Sequence, residues 1–238
     1  MNRLLLFFLL MVVSILSACA PASTAAPGTL PDSEPAAPVE TQIPSPVSPT
    51  QVETPLNGKS YTNSEFGLNF HYPAHWFGPD EYISGQTLRV EVGSDTVFPY
   101  GNPPEQPSEV KNSYKVVIQY TKDNQNTFLD DTHQTLLTLK DGESMSSPRS
   151  QITRVRGLGF GRFQGFEYIS TLSETAQTEP FYAREVFLMD DQANLITIFG
   201  TPNNVEISNG AEWREVYRGI DEANLNFFHE ILESLEME

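Results

Sequence analysis

The chain carries four histidines, one cysteine, 31 Asp and Glu and 14 Lys and Arg, so imidazole, carboxylate and guanidinium chemistry are open to it. The histidines do not assemble a metal motif by spacing. His71 and His75 are four apart, but Pro73 between them prevents the helix that would align them. His229-Glu230 lacks the second histidine of the zinc-protease pattern. His229 lies near an apolar helical stripe and His133 on another, and both read as partly buried structural imidazoles. No Gly-x-Ser-x-Gly elbow exposes a nucleophilic serine. Paired acids occur at Asp130-Asp131, Asp190-Asp191 and Glu230/Glu233. Two carboxylates hydrolyse glycosides only when a fold holds them at a set separation; Asp130-Asp131 suit a helix's first turn and Asp190-Asp191 a hairpin tip instead. Gly157, Gly159, Gly161 and Gly165 are rich enough for a phosphate loop. The segment after them reads as a strand, not as the helix whose N-terminus would face the anion. No catalytic residue, cofactor or metal site is expected from these groups.

One basic run stands apart. Arg149, Arg154, Arg156 and Arg162 fall within 14 residues that hold no acid. Alternation places Arg154 and Arg156 on one strand face with Ile152, a stripe of guanidinium groups suited to carboxylate or phosphate contacts. The competing readings are pairing with the chain's own acids and protection of an exposed strand edge. A proline-rich loop carrying Phe98 and Tyr100 is a second candidate contact surface; the two rings equally suit folding back onto a sheet.

These groups need elements to position them. Strands are expected at Leu68–Tyr72, Thr87–Val92, Ser113–Thr121, Gln151–Leu158 and Gly165–Leu172. A hairpin follows, Phe181–Met189 with Leu195–Phe199 across Asp190–Asn194. The strand 181–189 is apolar on both faces and calls for cover on both. A helix is expected from Thr127 to about Lys140, with Leu129, His133, Leu136 and Leu137 on one face. A closing helix capped by Asp221 presents Leu225, Phe228, Leu232 and Leu235. The fold class that follows is α+β, a mainly antiparallel sheet with helices packed on it.

The N-terminal part has a different character. Leu4 to Leu16 is apolar apart from Ser14, behind the positive Arg3. Thirteen residues make a helix of roughly 20 Å, short of the ~30 Å of a bilayer core. Leu16-Ser17-Ala18-Cys19 then resembles the lipobox of bacterial lipoproteins. That resemblance implies a signal peptide over 1–18 and a mature chain starting at Cys19, whose thiol carries diacylglycerol. Two or more acyl chains anchor stably because each buried methylene contributes about 0.8 kcal/mol. Cys19 is the sole thiol, so a lipidated chain has none left for catalysis or metal binding. Residues 20–56 hold nine prolines, four acids and no base, the composition of a disordered tether, making 19–56 a lipidated anchor and spacer. One domain, 57–238, follows.

Setting aside the four acids and one base of residues 1–56 leaves 27 acids against 13 bases in that domain, which excludes a broadly basic nucleic-acid-binding face. Its opening, carried by Tyr61, Asn63, Phe66, Gly67, Phe70, Tyr72, Pro73 and Trp76, resembles the PsbP-like family. The ending Phe228-x-x-Ile231-Leu232-x-Ser234-Leu235 is similar to that family's last helix, with residues 94–112 an enlarged loop. The resemblance implies a three-layer α/β/α sandwich around an antiparallel sheet, and a binding or assembly role without catalysis. The expected function is a lipid-anchored extracytoplasmic module serving a membrane or envelope protein complex. Its partners are the membrane, through the lipid on Cys19, and an envelope or membrane protein, with no nucleic acid. A small-ligand or metal receptor and, behind it, a hydrolase with scattered polar residues are the rival classes.

Overall fold

The computed structural model describes residues 58–97, 110–123, 131–173 and 179–237. The elements run β1 (Gly58–Asn63), β2 (Leu68–Pro73), β3 (Phe77–Ser84), β4 (Thr87–Gly93), β5 (Ser113–Thr121), α1 (Asp131–Thr138), β6 (Ser144–Ser146), β7 (Ser150–Phe160), β8 (Phe163–Leu172), β9 (Tyr182–Met189), β10 (Leu195–Asn203), α2 (Trp213–Glu233) and β11 (Glu236–Met237). Eight strands form one sheet in the order β3-β4-β5-β10-β9-β8-β7-β6; three form a second, β1-β2-β11. Every pairing is antiparallel.

Alternation explains how the sheets meet. Leu88, Val90 and Val92 of β4, Tyr114, Val116, Ile118 and Tyr120 of β5, and Ile196 and Ile198 of β10 point to one face. Tyr61, Leu68, Phe70 and Tyr72 of the small sheet and Phe228, Ile231 and Leu232 of α2 complete the same core. The close approach of α2 to β10 requires Gly200, where a Cβ would stand 2.5 Å from the Tyr114 hydroxyl and 2.8 Å from the Phe228 ring. The opposite face carries a smaller core in which Leu136 of α1 meets Ile152, Phe166, Tyr168 and Phe187. The apolar strand β9 is thereby covered on both sides, Val186 and Leu188 by one core and Phe187 by the other.

The three-layer α/β/α expectation is overturned. Of the described residues 51% are strand and 19% helix, and two antiparallel sheets make the architecture mainly a β-sandwich. The reason lies in what covers each face. The small sheet shares one face of the large sheet with α2, and on the other face the described part of α1 has eight residues, of which only Leu136 is fully buried. Two helix expectations also change. α1 is described from Asp131 onward, its expected start over Thr127–Asp130 lying outside the described residues, and Leu137 is exposed rather than packed. Asp221 does not cap α2; Glu212 does, its carboxylate accepting from the Glu215 amide at 3.2 Å, and Asp221 is buried in mid-helix.

Among the described glycines, Gly165 of β8 leaves the least room for a side chain, since an added Cβ would lie 1.8 Å from the Phe187 carbonyl oxygen. Backbone cannot swing away as a side chain can. Gly165→Ala is therefore expected to cost about 2 kcal/mol through separation of β8 from β9, read by urea unfolding; a loss under ~0.5 kcal/mol would show the strands give freely.

Candidate functional site

The structure separates the arginines that the sequence grouped. The pairing of β7 with β8 shifts between Arg154 and Arg156, a bulge that turns the two side chains to opposite faces. Arg154 faces α1: its Nε lies 3.0 Å from Asp141 Oδ1, its Nη1 donates to the Leu136 carbonyl at 2.8 Å, and its guanidinium stands 5.8 Å from the Phe166 ring centroid. Arg156 faces α2 and donates to Glu167 Oε2 at 2.7 Å. Arg162, at the β7–β8 turn, lies 2.8 Å from Asp190 Oδ2, and Arg149 is exposed before β7. Arg154, Arg156 and Arg162 each have a carboxylate of the domain in hand, which leaves less of each guanidinium for an outside anion. Arg154→Ser removes two bonds that hold the end of α1 and is expected to cost about 1–2 kcal/mol. Arg149→Ser should stay within ~0.5 kcal/mol. Equal losses in urea unfolding would contradict this assignment.

The densest assembly of ionisable groups is one the sequence did not single out. Arg184 of β9 sits among apolar neighbours and reaches two fully buried carboxylates, Glu167 Oε1 at 2.6 Å and Asp221 Oδ2 at 2.6 Å. Asp221 also accepts from Tyr114 Oη at 2.7 Å and Tyr182 Oη at 3.3 Å. Glu167 is further held by Arg156 and by His229 Nε2 at 3.2 Å. Burial, the largest influence on Glu167, favours its neutral acid. The hydrogen bonds from His229, Arg156 and Arg184 outweigh it and hold the pKa at about 2. Burial likewise opposes the charge on Arg184, and the bonds to Asp221 and Glu167 more than restore it, so its pKa is raised. The Tyr114 and Tyr182 hydroxyls are pushed up by burial and by the Asp221 charge, which keeps them as donors. Two acids and two arginines balance within the cluster, each acid bonded on both oxygens. That arrangement fastens α2 to β8, β9 and β5. A lone basic or acidic residue on an otherwise apolar strand face, as at Arg184 and Glu167, was the available signal.

Clefts among the described residues lie elsewhere. The larger, about 560 Å³, runs beside α1 over β7–β9 and is lined by Leu137, Gly157, Gly159, Gln164, Phe187 and Met189 among others. Of the glycine run read as a strand-joining turn, Gly157, Gly159 and Gly165 help to line this trough. On the same side of the sheet, Tyr168 Oη donates to Glu185 Oε2 at 2.8 Å, with His133 Nε2 3.4 Å away; burial raises the Glu185 pKa. The smaller cleft, about 490 Å³, lies at Phe160–Phe163 against Glu236 and Met237. The buried ion cluster lines neither.

His71 and His75 are both exposed, His75 with its ring 5.4 Å from Phe227. Among the described residues no group of three or more His, Cys, Asp and Glu could hold a metal ion. Asp190 sits at the β9–β10 turn and accepts from the Gln192 and Asn194 amides. Cys19, Phe98 and Tyr100 lie outside the described residues. The opening motif is used architecturally. Tyr61, Phe66, Phe70, Tyr72 and Trp76 are buried, Asn63 Oδ1 accepts from the Phe66 amide at 2.9 Å, and Gly67 takes φ 68° in the β1–β2 turn. In comparisons with known proteins, no family model and no curated protein matches the chain.

Proposed function

We propose that this protein is a lipid-anchored extracytoplasmic binding module that works by holding a partner protein of the membrane or envelope. The observation that carries the reading is Cys19, the sole cysteine, which follows the 13-residue run Leu4–Leu16 after Ser17-Ala18, with the proline-rich segment and then the domain behind it. The resemblance of the domain's opening to PsbP-like proteins adds to it. The engagement of the most perturbed charges with one another, between α2 and the sheet, favours binding over catalysis as the mode of action. Cys19 lipidation is tested by the intact mass of protein extracted from membranes: a diacylglyceryl adduct on Cys19 is expected, with release of the Cys19→Ser chain from the membrane fraction. An unmodified Cys19 in membrane-bound protein would overturn the anchor.

The cleft beside α1 favours a second reading, a receptor for a small apolar ligand. Ligand-dependent thermal stabilisation that Leu137→Asp abolishes would support it.

A further inference from the structure

We propose that the cleft beside α1 binds a flat aromatic carboxylate, with its ring on the bare backbone of β7 and its carboxylate at Arg154. The proposal rests on the receptor reading and names the ligand class of that cleft.

The cleft, about 560 Å³, is walled on one side by Leu137 of α1. Its base is set by the strand register. Gly159 stands beside Gln164 and then Met189; Gly157 stands beside Phe166 and then Phe187. Nothing in the fold demands glycine at either β7 position. Neither has the positive φ that Gly161 takes in the following turn, 54°. Neither is pressed against backbone, as Gly165 is. A Cβ on Gly159 would first meet the end of the exposed Gln164 side chain, at 3.2 Å, and one on Gly157 only Arg154 Nη2, at 3.2 Å. The bulge in β7 falls between Arg154 and Arg156, not on a glycine. The remaining use of a glycine inside a strand is close approach of a ligand to the backbone.

The neighbours of this bare floor favour a flat occupant. Phe166 and Phe187 are buried and stacked, ring centroids 5.6 Å apart at 15°, and the His133 ring lies 4.4 Å from Phe187. These rings hold one another in place, which lowers the ordering cost of binding. An aromatic plate covers exposed peptide planes more closely than a branched ligand does.

Charge sets the other end. Among the described residues that line the cleft there is no acid. Arg154 stands at the Gly157 end, its guanidinium 5.8 Å from the Phe166 centroid. Asp141 takes its Nε, and the Leu136 and Leu137 carbonyls take its Nη1. Among the described residues Nη2 is thus the nitrogen left to donate. The Arg154 side chain is only 16% exposed, so a carboxylate accepting from Nη2 is poorly screened by water.

The test titrates naphthoate into the full chain in detergent, with free probe fixed by dialysis, and reads residue-resolved amide shifts. The largest shifts are expected at 157–159 and 164–166, with naphthamide binding at least about tenfold more weakly. Arg154→Met should bring the two probes to equal affinity, which a merely loosened fold would not do. Gly159→Val should weaken naphthoate by at least about tenfold with the thermal midpoint kept or raised. Gly159→Ala should lose about threefold, and it carries the test if valine lowers the midpoint. Shifts centred elsewhere, equal binding of both probes by the parent chain, an unchanged ratio in Arg154→Met, or undiminished binding by the Gly159 variants would each overturn the proposal. So would decanoate binding where naphthoate does not; if Leu137→Asp abolished that binding, the receptor reading would stand without this one. No shift at the cleft from either probe would remove both.

Discussion

Replacing Arg184 by Met is expected to lower the stability of the domain by about 3–5 kcal/mol and its Tm by on the order of 10 °C. Arg184 is the cation shared by Glu167 and Asp221, both fully buried. Methionine matches much of its volume, so the cost is electrostatic rather than a cavity. It leaves Asp221 with two phenol donors only, Tyr114 and Tyr182, and Glu167 with Arg156 and His229 at the cluster's more open side. Removing the carboxylates together with the cation tests the cause. In a Glu167→Gln, Asp221→Asn background, Arg184→Met should cost less than half as much, because no unpaired buried charge remains. Urea unfolding followed by tryptophan fluorescence reads both. A loss below ~1 kcal/mol in the parent background would show that the cluster does not fasten α2 to the sheet.

Acid should undo part of the same fastening. Glu167 has a folded pKa of about 2 against an ordinary 4.5, so the unfolded chain takes up its proton first as pH falls. Its contribution is complete above about pH 5 and disappears as pH falls toward 2. At about 1.4 kcal/mol per unit, the contribution is on the order of 3 kcal/mol. Asp190 acts in the same direction. Burial raises its pKa, but the Asn194 side chain and amide, the Gln192 amide and Arg162 bring it below the usual aspartate value. Glu185 acts oppositely, since its burial raises the folded pKa and makes it cheaper to fold when neutral. Glu167→Gln should therefore flatten the fall in unfolding free energy between pH 5 and 2, while lowering stability at pH 7. An unchanged slope in Glu167→Gln would contradict the assignment of acid sensitivity to this carboxylate.

Residues that alternate against a single core could be read in advance. Ser113–Thr121 keeps the bounds expected from Tyr114, Val116, Ile118 and Tyr120, because a central strand repeats its burial every second residue. β3 could not be read that way: a strand with one partner strand among the described residues needs little apolar alternation, and Pro79-Asp80-Glu81 looks like a loop. β1, Gly58-Lys59-Ser60-Tyr61-Thr62-Asn63, is polar for the same reason. The layers were misjudged because periodicity shows that a face is covered without showing whether a helix or a second sheet covers it. The facing of Arg154 and Arg156 failed at a bulge, which shifts the two-residue period by one. Asp221 was taken for a cap because an acid near the start of an apolar helical stripe usually is one; its partner Arg184 lies 37 residues earlier. At Glu167 and Arg184 the signal was present, a charge set into an apolar face, but its meaning depended on the two strands and α2 converging.

The central claim is that the domain works by holding a partner while anchored through Cys19. The most direct measurement is crosslinking in cells of the full chain and of its Cys19→Ser form at matched abundance, with mass spectrometry of the captured proteins. A specific membrane or envelope protein recovered reproducibly with the anchored chain, and at least about tenfold depleted with Cys19→Ser, is the expected result. The same captured set with and without the anchor, or no reproducible partner from a chain shown to be lipidated, would contradict the account.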